Sequence, residues 1–236
     1  MKSCAAILLL LMSPASVAAI KVAVASNFKS ALTTIADDYQ QLTGQKVLIS
    51  SASTGILYNQ IQHGAPFDLF LSADSERAAL IEDSSKGIKG SRFTYAQGIL
   101  AFWMPKDANV NQQSLLDYQG RLAIANPKLA PYGLASQQAL QALMLWNNFS
   151  YVQGANISQT YQFIDSGNIS AGLVAYALLL QNNETNYVLI SNQLHEPILQ
   201  QGVLLANSKK YNETQEFVDY LTSEPVKKLI RSKGYL

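Results

Sequence analysis

The chain has 236 residues, 48% of them hydrophobic and 14% charged, and its 17 basic and 16 acidic side chains leave a net charge of +1. So even a balance excludes the basic footprint of a nucleic-acid binder or of an anionic-membrane patch. The one cysteine, Cys4, excludes an internal disulfide and a cysteine-based metal site.

Lys2, the apolar run 5–12 and the small residues that follow it read as a secretory signal peptide over residues 1–19. Val17 and Ala19 fit the small-x-small cleavage rule, which makes Ile20 the expected mature start. The run is too short to span a bilayer and is broken by Pro14. Cys4 lies before the run and leaves with it, so the mature chain must be stable by packing alone in an oxidising compartment.

Val22-Ala23-Val24-Ala25 reads as a buried strand. Phe28, Leu32, Ile35, Ala36 and Tyr39 then recur at helical spacing. Ser26 and Asn27 fall at the strand-to-helix turn, where capping side chains and unpaired backbone N–H groups sit. Val47-Leu48-Ile49-Ser50 is a second strand, and Ser53-Thr54-Gly55 opens a helix carrying Leu57 and Ile61. Gly64-Ala65-Pro66 ends that helix. Phe67-Asp68-Leu69-Phe70-Leu71 is a third strand, and Ser72-Ala73-Asp74 opens the helix through Arg77 and Leu80. Lys89, Arg92, Phe93 and Tyr95 mix basic and aromatic residues and read as a solvated loop.

Residues 99–104 form a strand closed by Pro105, a short helix lies near Leu115, and Leu122-Ala123-Ile124-Ala125 is another buried strand. Its exit, from Asn126-Pro127 to Tyr132-Gly133, is rich in turn residues and leads into a helix with Ala139 and Leu140. A short strand near Val152 leads through Asn156-Ile157-Ser158 to a helix with Tyr161 and Ile164 that ends at Gly167. Leu173-Val174-Ala175-Tyr176, Tyr187-Val188-Leu189-Ile190 and residues 198–205 are further strands. Two helices close the chain, around Phe217 and Leu221 and from Ser223 to Gly234. Strands alternating with helices point to an α/β architecture with largely parallel sheets. With no Pro/Gly/Ser linker, the pattern suits two lobes that share the chain.

Four strand-to-helix turns are polar or glycine-rich: Ser26-Asn27, Ser53-Thr54-Gly55, Tyr132-Gly133 and Asn156-Ile157-Ser158. Ligands of open α/β sheets bind at the carboxyl ends of strands. If these turns converge, hydroxyls and helix N-termini would hold a small anion with no lysine or arginine; taken singly, each is an ordinary helix cap. Catalysis is poorly supplied. His63 and His195 are the only near-neutral bases, both in loop-like sequence, and there is no Gly-x-Ser-x-Gly elbow. Asp68 and Asp74 straddle a strand end and read as structural rather than as metal ligands. No phosphate loop or dinucleotide fingerprint occurs. The chain is therefore expected to be no enzyme, with no cofactor and no protein-ligated metal.

Ala25-Ser26-Asn27-Phe28, the run from Ser53-Thr54-Gly55 to Ile61, the block from Gly64-Ala65-Pro66 to Ser72-Ala73-Asp74, Asn126-Pro127 and Ala130-Pro131-Tyr132-Gly133 together resemble the periplasmic molybdate-binding proteins of ABC importers. The resemblance runs through nearly all of the mature chain, to Gly234-Tyr235. It implies a two-lobed type II periplasmic binding protein fold, with two hinge crossings and a cleft that closes on an oxyanion. Lobe 1 is then residues 20–98 completed by 200–236, and lobe 2 is residues 99–199. The resemblance also implies that Ser26 gives its hydroxyl and N–H to the oxyanion with Asn27 alongside, that Thr54 does the same from the second helix, and that Tyr132 and Ile157 offer backbone N–H groups from the other lobe. Some members add a tyrosine hydroxyl from the segment matching Gly172-Leu173-Val174-Ala175. This chain has Ala175 there and Tyr176 one place on, and Asn27 is the other candidate for that contact. The implied role is that of a monomeric periplasmic protein that captures molybdate, and tungstate, for the membrane permease of an ABC importer. Sulfate or another tetrahedral oxyanion is the alternative ligand, and a periplasmic hydrolase the remoter reading.

Overall fold

A computed structural model describes residues 19–236, so the signal-peptide reading lies outside the described residues except at Ala19. The chain builds β1 (Ile20–Ala25), α1 (Lys29–Thr43), β2 (Val47–Ala52), α2 (Thr54–Gln62), β3 (Leu69–Ser72), α3 (Ser75–Glu82) and β4 (Phe93–Gly98). It then crosses into β5 (Leu100–Trp103), α4 (Gln112–Asp117), β6 (Arg121–Ala125), α5 (Pro131–Ala142), β7 (Ser150–Gly154), α6 (Ile157–Asp165), β8 (Ala171–Ala175), α7 (Tyr176–Gln181) and β9 (Tyr187–Leu189). It returns through β10 (Ile198–Leu204) and closes with α8 (Tyr211–Leu221) and α9 (Glu224–Ser232).

Two five-stranded sheets result, in the orders β2-β1-β3-β10-β4 and β7-β6-β8-β5-β9. They are mixed, not largely parallel. β1 runs parallel to β2 and β3, and β6 runs parallel to β7 and β8. β10 is antiparallel to β3 and β4, and β5 is antiparallel to β8 and β9. In each sheet the reversed strand, β5 or β10, is one that has just crossed from the other sheet. It arrives from the opposite side, so its direction is set by the crossing and not by a βαβ unit.

The central strands are short runs of small apolar residues because both faces are covered. Val22, Ala23, Val24 and Ala25 in β1, and Leu122, Ala123, Ile124 and Ala125 in β6, are buried. Phe28, Leu32, Ile35 and Tyr39 pack one face of the first sheet together with Phe217 and Leu221 of α8, and the Tyr39 and Phe217 rings lie 5.1 Å apart. Phe102, Trp103, Leu140, Ile164 and Leu173 centre the other core.

Residues 93–98 form a strand where the sequence suggested a solvated loop. Tyr95 and Ala96 are buried, and Gln97 exchanges two backbone hydrogen bonds of 3.0 Å with Leu236, so the chain terminus pairs with β4. Tyr176 starts α7 and does not end β8. The third strand begins at Leu69, after Asp68, whose carboxylate accepts from the Lys21 N–H at 2.7 Å and from the Ser208 hydroxyl at 2.7 Å.

Candidate functional site

Between the two sheets, five chain turns face one small cavity lined by Ala25, Ser26 and Asn27, by Ser53 and Thr54, by Ala73, by Ala130, Pro131 and Tyr132, and by Ile157. These turns follow the carboxyl ends of β1, β2, β3, β6 and β7, the ends at which open α/β sheets take ligands. All five residues singled out from the sequence, Ser26, Asn27, Thr54, Tyr132 and Ile157, lie on this lining. The cavity is small, about 180 Å³ counting its opening to solvent.

The lining is neutral but rich in donors. Thr54, Tyr132 and Ile157 sit in the first turns of α2, α5 and α6, where no earlier carbonyl of the same helix can reach their N–H groups. Those groups and the helix dipoles together favour an anion. Two hydroxyls add to them. The Thr54 Oγ1 accepts from the Ala73 N–H at 3.0 Å, and the Ser26 Oγ accepts from the Ser158 N–H at 3.4 Å. A hydroxyl has one proton and two lone pairs. With one lone pair held by a backbone N–H, each hydroxyl keeps its proton available to donate. Ser53 caps α2, its Oγ accepting from the Ile56 N–H at 3.4 Å.

The lobes are in contact around this cavity. The Gly55 N–H donates to the Leu129 carbonyl at 2.9 Å, and the Ser158 hydroxyl to the Ser26 carbonyl at 3.1 Å. Arg77, ion-paired to Asp74 at 2.6 Å, reaches across to the Lys128 carbonyl at 2.9 Å. Gly55 suits this closeness: a Cβ there would stand 3.0 Å from the Leu129 carbonyl oxygen, so the facing chain would have to give way slightly.

Asn27, expected alongside Ser26 and as a candidate for the missing tyrosine contact, lies on the lining with its side-chain amide engaged. Its Nδ2 donates to Gln200 at 2.9 Å and to the Tyr235 hydroxyl at 3.4 Å, which uses both amide protons on the hinge. Tyr176, the alternative candidate for that contact, is not on the lining; its ring packs 5.4 Å from that of Tyr187.

Behind the cavity lie Gln200, Tyr95 and Tyr235, to which the sequence reading gave no role. Tyr235 donates to the Asn27 carbonyl at 2.7 Å, and Tyr95 to the Ser72 carbonyl at 2.9 Å. Burial, with smaller repulsions from neighbouring groups, holds the Tyr95 and Tyr132 phenols far above the usual tyrosine range, and burial does the same at Tyr235. A signal for Gln200 did exist, as a glutamine that shares the inward face of its strand with Ile198 and Gly202.

The remaining candidates sit elsewhere. His63 caps the end of α2, its Nδ1 2.7 Å from the Asn59 carbonyl, and His195 is buried with Nδ1 2.8 Å from the Glu196 carbonyl. Asp74 caps α3, and Asp68 ties β1 to β3. Among the described residues no group of three or more His, Cys, Asp and Glu side chains is placed to hold a metal ion.

Residues 20–236 match the family model of bacterial extracellular solute-binding proteins. The chain is 38% identical to the molybdate-binding protein ModA of Azotobacter vinelandii, over 96% of this chain and 93% of that protein. It is 33% identical to ModA of Rhodobacter capsulatus, over 94% and 90%. The solved periplasmic molybdate-binding protein of Azotobacter vinelandii superposes with a TM-score of 0.87 at 31% identity, covering 92% of this chain and 98% of that one.

Proposed function

The chain belongs to the bacterial extracellular solute-binding proteins, and from that premise we propose that it captures molybdate, and tungstate with it, in the periplasm for delivery to an ABC importer. The observation that carries this reading is the ring of helix starts and hydroxyls around one small neutral cavity. Such a ring suits a tetrahedral dianion, which offers acceptors in every direction and needs no counter-charge when dipoles and N–H groups surround it. In this reading Ser26 and Thr54 each give a hydroxyl and an N–H, and Asn27, Tyr132 and Ile157 give N–H groups. Lobe 1 comprises residues 20–98 and 200–236, and lobe 2 residues 99–199. The anion binds the closed arrangement better because donors from both lobes reach it only there, so binding draws the lobes together. No bond is made or broken.

The test is a thermal melt of the mature chain with molybdate, tungstate, sulfate, phosphate or no addition. Ligand at about one hundred times its Kd stabilises the native state by about 2.7 kcal/mol, which is roughly 5–10 °C for a chain of this size. A rise with molybdate and tungstate alone is expected. A rise with sulfate or phosphate instead would overturn the substrate, and no rise with any of them would reduce the turns to helix caps.

A further inference from the structure

Gln200 and Gln201 stand side by side in β10, and their surroundings could hardly differ more. Gln201 bonds Arg92 at 2.9 Å and Thr94 at 2.9 Å near the surface, whereas Gln200 has no exposed surface at all. A buried amide costs free energy unless its oxygen and its protons find partners. Gln200 finds them on both sides of the cleft. Its Oε1 accepts from Asn27 Nδ2 at 2.9 Å and lies 3.2 Å from the Tyr95 hydroxyl, whose one proton is shared with the Ser72 carbonyl, and its Nε2 donates to the Tyr132 hydroxyl at 3.3 Å.

The backbone is shaped around this bridge. Pairing of β10 with β4 slips between Gln200, opposite Ala96, and Gln201, opposite Thr94, leaving Tyr95 as the extra residue of a bulge. Bulges re-aim side chains beside functional sites. At the end of β4, a Cβ on Gly98 would come within 2.2 Å of the Tyr132 hydroxyl and 3.0 Å of Gln200 Nε2. A glycine at the crossing is what lets Tyr132 reach the returning strand.

Asn27 and Tyr132 both line the cavity, one from each lobe, and Gln200 joins their side chains on the strand that re-enters the first sheet. We propose that Gln200 is a positioning residue that couples the two half-sites through the hinge, holding the backbone N–H groups of Asn27 and Tyr132 aimed at one point. It does not touch the anion, and the inference rests on the oxyanion reading of the cavity. A glutamine that merely fills the core would lower melting temperature when replaced but leave affinity and its pH profile alone.

The experiment titrates molybdate by calorimetry into the mature wild type, Gln200→Met, Gln200→Glu, Tyr132→Phe, the double variant Gln200→Met/Tyr132→Phe, and Thr54→Val as a control. Gln200→Met keeps the length of the side chain, and Tyr132→Phe keeps the cavity-facing N–H. Each is expected to weaken binding about tenfold, the scale of a lost buried hydrogen bond, with the double variant little worse than either single one because both break the same bridge. In Gln200→Glu, burial raises the carboxyl pKa. The neutral acid retains a donor, and the ionised form sets a negative charge behind the anion site. Its affinity deficit against wild type is therefore expected to widen from about pH 6 to about pH 9. Variants that fold and bind like wild type at both pH values, or losses that simply add in the double variant, would overturn the inference. If Gln200→Glu does not fold, the Met/Phe set decides alone. Wild type that binds no molybdate overturns the functional reading and this inference with it. Wild type that binds while only Thr54→Val loses affinity overturns the inference alone.

Discussion

Gly55→Ala separates lobe closure from folding. Gly55 lies in the first turn of α2, and its φ is not in the left-handed region, so alanine fits the backbone without strain. Alanine is the better helix former and narrows the unfolded ensemble, worth about 0.4–1 kcal/mol in favour of the fold. The cost appears across the cleft. The new Cβ would meet the Leu129 carbonyl oxygen at 3.0 Å and its Cα at 3.1 Å, inside the 3.5–4.0 Å at which carbon atoms pack best. Overpacking costs about 1–3 kcal/mol where nothing can yield. Two lobes on a hinge can back off by a fraction of an ångström, which puts the penalty at the low end, about 1 kcal/mol, and the loss of affinity at about fivefold. Since only the closed arrangement suffers, the loss should lie in a faster release rate with little change in association. Calorimetric titration with molybdate and a ligand-free melt read the two effects apart. An unchanged Kd at an equal or higher melting temperature would refute closure onto the Gly55–Leu129 contact. A drop in melting temperature would refute the argument that α2 itself accepts alanine.

Thr54→Val keeps the shape of the side chain and removes its hydroxyl. Loss of a hydrogen bond to a charged ligand costs about 1.5–3 kcal/mol, so molybdate affinity should fall roughly 10- to 150-fold. The buried Ala73 N–H also loses its acceptor, so the ligand-free melting temperature should fall by several degrees; Thr54→Ser should restore both, and unchanged affinity would remove Thr54 from the site. Alkaline stability tests the hinge. Tyr95, Tyr132 and Tyr235 bind their protons more tightly folded than unfolded. Their contribution is therefore intact below the unfolded value near pH 10.0 and is lost as pH rises from there toward the folded-state values. Each such phenol removes about 1.4 kcal/mol per pH unit in that window. Urea denaturation at increasing pH should show the decline, steeper than in Tyr235→Phe; equal slopes would show that Tyr235 is not the buried proton holder the network implies.

The cavity-lining turns were legible because they depend on local rules. A strand of small apolar residues, a Ser or Thr at its end and a helical period after it place unpaired N–H groups at a known spot, whatever the rest of the chain does. Ser26, Asn27 and Thr54 stand at such turns, and Tyr132 and Ile157 were singled out through the motif resemblance. Local rules failed where pairing is non-local. Residues 93–98 are a strand only because β10 and Leu236, more than a hundred residues away, pair with them. Tyr176 changes from strand end to helix start because α7 turns at the Ile99 carbonyl, 2.9 Å from its N–H.

By itself the sequence determined the alternation of strands and helices, the helix starts that line the cavity and the absence of a charged residue among them, since periodicity, capping preference and residue identity are written in short windows. Only the tertiary structure decided that the sheets are mixed, that the Asn27 amide bonds Gln200 and Tyr235, and that Gln200, Tyr95 and Tyr235 stand behind the site. Those outcomes depend on which distant strands become neighbours, and a buried polar group takes its direction from the partners that packing brings within reach.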